Sequence, residues 1–149
     1  MVDILIREYE EDDWQEVRRI HDLARPIELE GSCDPRAFVP LADDEKDLEQ
    51  FEQCRKLVAS AAGRILGFVG VSEDEVGWLY VDPEDSGKGI GRKLLREGVR
   101  QIRTKASVYV LKGNTPALNL YASEGFARVS KFDSENNGYP CVVLKLSQI

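Results

Sequence analysis

The sequence predicts an α/β protein: a mixed sheet, mostly antiparallel, with helices packed on both faces. Three observations predict it. Apolar spacing alternates between strand and helix periods in the order β-α-α-β-β-β-α-β-α-β-β. Two short turns, Ala62-Gly63 and Glu73-Asp74, join the three central strands, as antiparallel neighbours require. A glycine-rich turn then leads into the best helix of the chain, and helices flanking a mixed sheet are its natural cover.

Ile4 to Tyr9 alternates as a half-buried strand. Asp12-Asp13 open a helix to about Leu23, with Trp14, Val17, Ile20 and His21 at helical spacing. Pro26, Gly31-Ser32, Pro35 and Pro40 predict an irregular stretch over residues 24 to 42. An acidic helix follows over Asp44 to Gln53. The central strands are Arg55 to Ala61, Ile65 to Ser72 and Val76 to Val81, the last ended by Asp82-Pro83 because proline has no N–H for the ladder. Gly89 to Thr104 reads as a helix with Leu94, Leu95, Val99 and Ile102 on one face. Ser107 to Val110 is a strand. Thr115 to Ser123 is a short helix with Pro116 in its first turn and Gly125 at its end. Phe126 to Phe132 and Cys141 to Leu146 form a hairpin around a polar loop, Asp133 to Gly138. With no repeat or linker, residues 1–149 read as one domain.

The 149 residues are 42% apolar and 32% charged, the balance of an ordinary globular protein of one core. No apolar run approaches the ~20 residues of a bilayer span, and the N-terminus lacks a signal-peptide layout. A cytoplasmic protein without a membrane partner is expected. Cys33, Cys54 and Cys141 are far apart, and His21 is the sole histidine, so no metal is expected. Free thiols in a reducing compartment are a better reading than a Cys–His nucleophile. The net charge of −7 argues against a nucleic-acid partner. The charge is uneven, however. Residues 8 to 52 are acidic, whereas residues 88 to 105 hold seven Lys and Arg against Glu97 alone.

The candidate site begins at Ser86-Gly87-Lys88-Gly89-Ile90-Gly91-Arg92, between a strand and a helix. Alternating glycines let the backbone bend and approach a ligand, and the helix start offers unpaired N–H groups to an anion such as pyrophosphate. Two other phosphate loops fail by register. No start position gives G-x-x-x-x-G-K-[ST], and Arg92 stands where G-x-G-x-x-G needs its third glycine. Alone, such a turn serves structure as readily as binding.

The second motif is Asn114, Ala117, Tyr121, Gly125 and Phe126, in the pattern N-x-x-A-x-x-x-Y-x-x-x-G-F. Together with the glycine loop and the lead-in Leu79-Tyr80-Val81-Asp82-Pro83-Glu84, it resembles the GNAT superfamily of N-acetyltransferases. The closest resemblance covers residues 64 to 127. One position departs: Ser86 stands where the family usually has Gln or Arg, which changes a side-chain contact while leaving the backbone N–H groups.

The resemblance implies a mostly antiparallel GNAT-like sheet, acetyl-CoA as co-substrate, and a small-molecule or peptide amine as acceptor. It implies that the fourth and fifth strands splay and that pantetheine runs between Leu79 to Val81 and Ser107 to Val110. A bulge would aim the Leu79 N–H at the thioester oxygen. By register Glu75 matches the base glutamate of some members, although beside Glu73 and Asp74 it reads equally as an exposed hairpin residue. Tyr121 would protonate the departing sulfur, or simply pack. Asn114 would bond the pantetheine arm or fix its turn. Arg92 and Arg96 would meet the 3′-phosphate, or belong with Arg100 and Arg103 to a solvated face. Glu28, Glu30 and Asp34 would attract a cationic amine, and a homodimer through the last strands is compatible. The rival reading is a catalytically silent acyl-CoA-binding module.

Overall fold

The computed structural model describes residues 3–149. The strands are β1 (Leu5–Glu8), β2 (Arg55–Ala61), β3 (Arg64–Ser72), β4 (Glu75–Val81), β5 (Ser107–Leu111), β6 (Phe126–Asn136) and β7 (Tyr139–Gln148). The α-helices are α1 (Trp14–Leu29), α2 (Glu45–Gln53), α3 (Ile90–Arg100) and α4 (Thr115–Ser123). All seven strands join one sheet in the order β1-β2-β3-β4-β5-β7-β6. Every neighbouring pair is antiparallel except β4 and β5. The predicted mixed sheet with helices on both faces is the fold observed.

The sheet separates two apolar layers. On one face Ile90, Leu94 and Leu95 of α3 and Tyr121 of α4 pack on Val69, Val76 and Val108. On the other, Val17 and Ile20 of α1 and Phe51 of α2 pack on Val58, Phe68 and Trp78. Phe51 is the hub of that layer, with its ring edge-on to Tyr9, Phe68 and Trp78. A third cluster joins Leu29, at the end of α1, to Leu111 and Cys141.

Three boundaries differ from the sequence reading, the first for a tertiary reason and the other two for local ones. Helix α1 does not stop near Leu23 but runs through Pro26 to Leu29. Interior proline costs a helix ~3 kcal/mol. Offsetting it are the burial of Leu29, 1% exposed, a Tyr80 hydroxyl donating to Glu28 Oε1 at 2.8 Å, and an Arg25 guanidinium donating to Asn136 Oδ1 at 3.2 Å. The predicted loop Asp133 to Gly138 is instead mostly strand. Only Asn137 and Gly138 form the turn, with φ of 49° and 86°, the left-handed pair of a tight type I′ hairpin. Helix α3 ends at Arg100 rather than Thr104, closed by Gln101 and Ile102 N–H groups donating to Gly98 and Val99 carbonyls at 3.0 Å.

Candidate active site

The site lies where the sheet comes apart. Strands β4 and β5 pair only at Glu75 and Ser107, whereas β5 and β7 stay in register from Ser107 to Leu111. Beyond that single rung the two strands diverge into a notch that opens toward Val81 and Leu111. Within it β4 carries a bulge. Val71 pairs with Val76 and Gly70 with Trp78, so Gly77 is the extra residue. Its effect is visible in the packing: Val76 faces the α3 layer but Trp78 faces the α1 layer, although two residues apart would otherwise share a face. The bulge re-aims the backbone at Trp78 and Leu79 inside the notch.

A cleft of about 690 Å³ enters from the α3 side. Its walls include Leu79, Tyr80 and Val81 from β4, Ser86, Gly87, Gly89, Ile90, Gly91 and Arg92 from the glycine loop, and Asn114, Ala117 and Tyr121 from α4. Of the side chains predicted to meet the larger ligand, Lys88 and Arg96 are not in the lining; the Lys88 ammonium sits 3.1 Å from Asp85 Oδ1. Gly87 and Gly89 have φ of 78° and 81°, with open space where a Cβ would project. The left-handed turn at Gly89 delivers the chain into α3, whose first N–H groups have no helical partner.

Two buried carboxylates fix that loop from behind. Asp82, 1% exposed, accepts from the Glu84 N–H at 3.0 Å and from Arg19 at 3.0 Å. Burial alone would raise its pKa, but these donors hold it below the ordinary carboxylate value. Asp85 pairs with Arg64 and Lys88. Ser86 donates its hydroxyl to the Pro83 carbonyl at 3.0 Å, so its side chain folds back on the loop. Arg92 and Arg96 both grip Glu124, and Arg92 also meets Ser123. The Asn114 side chain accepts from the Ala117 N–H at 3.4 Å and caps α4.

A smaller pocket, about 200 Å³, opens on the other side of the notch. Arg25 and Glu28 of α1, Tyr80 of β4, Tyr109 of β5, Ser134 and Asn136 of β6 and Cys141 of β7 border it. Glu28, Leu79, Tyr80, Tyr109, Val110 and Tyr121 line both cavities, which therefore meet in the notch. Burial, and next the negative charge of Glu28, push the Tyr121 phenol above its ordinary pKa. The same two causes, in the same order, raise Tyr80. Glu75 stands at the closed end of the notch and lines neither cavity. Its carboxylate lies 3.5 Å from where a Cβ on Gly77 would sit. Burial and then Asp74 raise its pKa, against the pull of Lys145.

Asp34 is held by Arg36 outside both cavities, and Glu30 lines only the larger one. Sequence reasoning singled out neither Arg25 nor Asn136, and took in Tyr109 only within the strand Ser107 to Val110. The one readable signal was Asn137-Gly138, a hairpin-turn dipeptide that would have extended β6 to Asn136. Among the described residues no group of three or more His, Cys, Asp or Glu gathers as a metal site, and no helix is long and apolar enough to cross a membrane.

A splayed mixed sheet with a glycine loop at the mouth of the notch is the architecture of an acyl-CoA-dependent N-acyltransferase. The model of the acetyltransferase (GNAT) domain matches residues 52–128, and the chain belongs to the GNAT acetyltransferase family. It is similar to the mycothiol acetyltransferase of Thermomonospora curvata, 37% identical over 87 residues, 52% of this chain and 29% of that protein. It is also similar to the N-alpha-acetyltransferase RimI of Mycobacterium tuberculosis, 41% identical over 81 residues, 48% of this chain and 51% of that protein. The chain thus spans about half or less of the length of these relatives. Among solved structures, a GCN5-related N-acetyltransferase from Rhodopseudomonas palustris shares the fold with a TM-score of 0.82 at 19% identity, over 97% of this chain and 94% of that one. The PaiA N-acetyltransferase of Thermoplasma acidophilum, in complex with coenzyme A, does so with a TM-score of 0.75 at 18% identity, over 98% of each chain.

Proposed function

We propose that the chain, acting as one domain in the cytoplasm, transfers the acetyl group of acetyl-CoA to a primary amine by direct attack in a ternary complex. The observation that carries this reading is the meeting of two cavities in the notch at Leu79 and Tyr121. The larger cleft fits acetyl-CoA on its own features. Gly87 and Gly89 leave open backbone where side chains would intrude, the start of α3 presents N–H groups and partial positive charge to a pyrophosphate, and β4 and β5, paired at one rung only, both border the cleft. The coenzyme A complex of the Thermoplasma protein supports the same assignment.

When bound, acetyl-CoA supplies an activated thioester carbonyl. The Leu79 N–H, re-aimed by the Gly77 bulge, donates to that oxygen as negative charge develops there. The amine forms the new C–N bond, its proton passes to a carboxylate at the junction, and the C–S bond breaks. Tyr121 gives its phenolic proton to the sulfur as the C–S bond breaks and regains one from solvent. A raised phenol pKa keeps Tyr121 protonated and ready for that role. Asn114, tied to the α4 cap, positions Tyr121 by fixing the start of its helix. Ser86 contributes its N–H rather than its side chain.

Release of thiol from acetyl-CoA over a panel of amines tests the reading. Amine-dependent release is expected. Tight coenzyme A binding with no amine-dependent release would replace it with a silent binding module.

A further inference from the structure

We propose that Glu28 is the carboxylate that docks the acceptor's amine and takes its proton. This rests on the transfer reading above. Three features of the structure converge on it. First, Glu28 lines both cavities, whereas Glu75 lines neither. A base must stand within hydrogen-bond reach of the proton it removes, directly or through one water. Glu75 pairs with Ser107 at the closed end of the notch, its carboxylate beside Gly77.

Second, Glu28 is held but not saturated. Its Oε1 accepts from the Tyr80 hydroxyl at 2.8 Å and from the Arg25 guanidinium. Arg25 is itself fixed by Asn136 at 3.2 Å. Among the described residues no donor is paired with Oε2, and the side chain stays 25% exposed toward the cavities. One oxygen is thus anchored by two donors and the other is left for a ligand N–H. An incoming ammonium would find a carboxylate whose position is already set, so little ordering remains to be done on binding.

Third, the charge of Glu28 reaches the proposed acid. It is the second cause, after burial, of the rise in Tyr121. The proton acceptor and the proton donor therefore border one junction, as a single passage from attack to sulfur release demands. Helix α1 continues through Pro26 despite its cost, and Glu28 lies in the turn so gained. The pocket of about 200 Å³ is below the ~300–1,000 Å³ that enclose drug-sized ligands. It admits the amine-bearing end of an acceptor, with any remainder outside.

The test uses the full chain, acetyl-CoA, and two probes, n-butylamine and alanine amide. Coenzyme A affinity of Glu28→Gln is measured first by titration and is expected to match wild type. Failure of wild type itself to bind coenzyme A would strike the transfer reading. Glu28→Gln is then expected to lose about 10²-fold or more in kcat/KM for the amines, with KM raised as well as kcat lowered. Glu28→Asp, which keeps the carboxylate, should recover at least about tenfold. As a readout independent of turnover, n-butylammonium should bind coenzyme A-loaded Glu28→Gln about tenfold more weakly than loaded wild type. A Glu28→Gln enzyme within about threefold of wild type, or a greater loss in Glu75→Gln than in Glu28→Gln, overturns the proposal.

Discussion

The two cavities share six residues, yet the rest of their walls differ in kind. The larger cleft takes much of its wall from the glycine loop and from the starts of α3 and α4. The smaller pocket is walled by side chains from α1, β4, β5, β6 and β7, and its polar groups hold one another across the fold. A wall built from neighbours in the chain leaves a local pattern of Gly, Asn and Ala in the sequence. A side-chain surface can be rebuilt by substitution at scattered positions and leaves none. The family model stops at residues 52–128, taking in the glycine loop and α4 but neither Arg25, Glu28 nor Asn136.

Variants that separate the two sides put this contrast at risk. The largest effect is expected at their shared edge. Tyr121→Phe should lower kcat by about 10²-fold with coenzyme A affinity little changed, as read by thiol release and titration; full turnover would leave the phenol a packing group against Phe126. Next, Gly89→Val forces a β-branched residue into a left-handed position at φ 81°, worth ~1–2 kcal/mol. Coenzyme A affinity should fall roughly tenfold or more while KM for the amine holds. Asn136→Ala should do the reverse, raising amine KM several-fold through a loosened Arg25 and sparing coenzyme A affinity. If both constants move together in either variant, the two walls are not independent.

Smaller effects concern the supports. Asp82 has a lowered pKa in the folded chain, so its contribution is present above the unfolded value near ~3.9 and is lost as pH falls through the folded value. The urea midpoint should drop over that acid range in wild type and drop less in Asp82→Asn. Smallest of all, Glu124→Gln loosens an ion pair in which Arg96 is 59% exposed. It should cost under ~1 kcal/mol in denaturant unfolding.

The sequence showed the central strands, the amphipathic helix and both motifs because each is a local pattern. The glycines at 87 and 89 and the Asn114 cap do locally what their residue types imply. What stayed hidden depends on partners far away in the chain. Pro26 reads as a stop until Leu29, Arg25 and Glu28 find their contacts, and the Arg25–Asn136 bond spans 111 positions. A stop at Leu23 also placed Glu28 in a loop, where its orientation could not be read. Lys88, pointed at phosphate by its place in the loop, was drawn instead to Asp85, a buried carboxylate whose burial no local pattern announces.

The single rung at Glu75 and Ser107 has a mechanical consequence. The sheet is two half-sheets riveted at one end, with unmatched main-chain edges facing each other across the gap. On the proposed function, an acyl-CoA arm laid there would act as a splint, completing the ladder between halves that the protein itself leaves unfinished. Ligand at about 100 times its Kd adds roughly 2.7 kcal/mol to the stability of the liganded state. At roughly 2–4 °C per kcal/mol for a chain of this size, saturation should raise Tm by roughly 5–10 °C. The chain would then be most resistant to unfolding when charged for reaction and most pliant when spent.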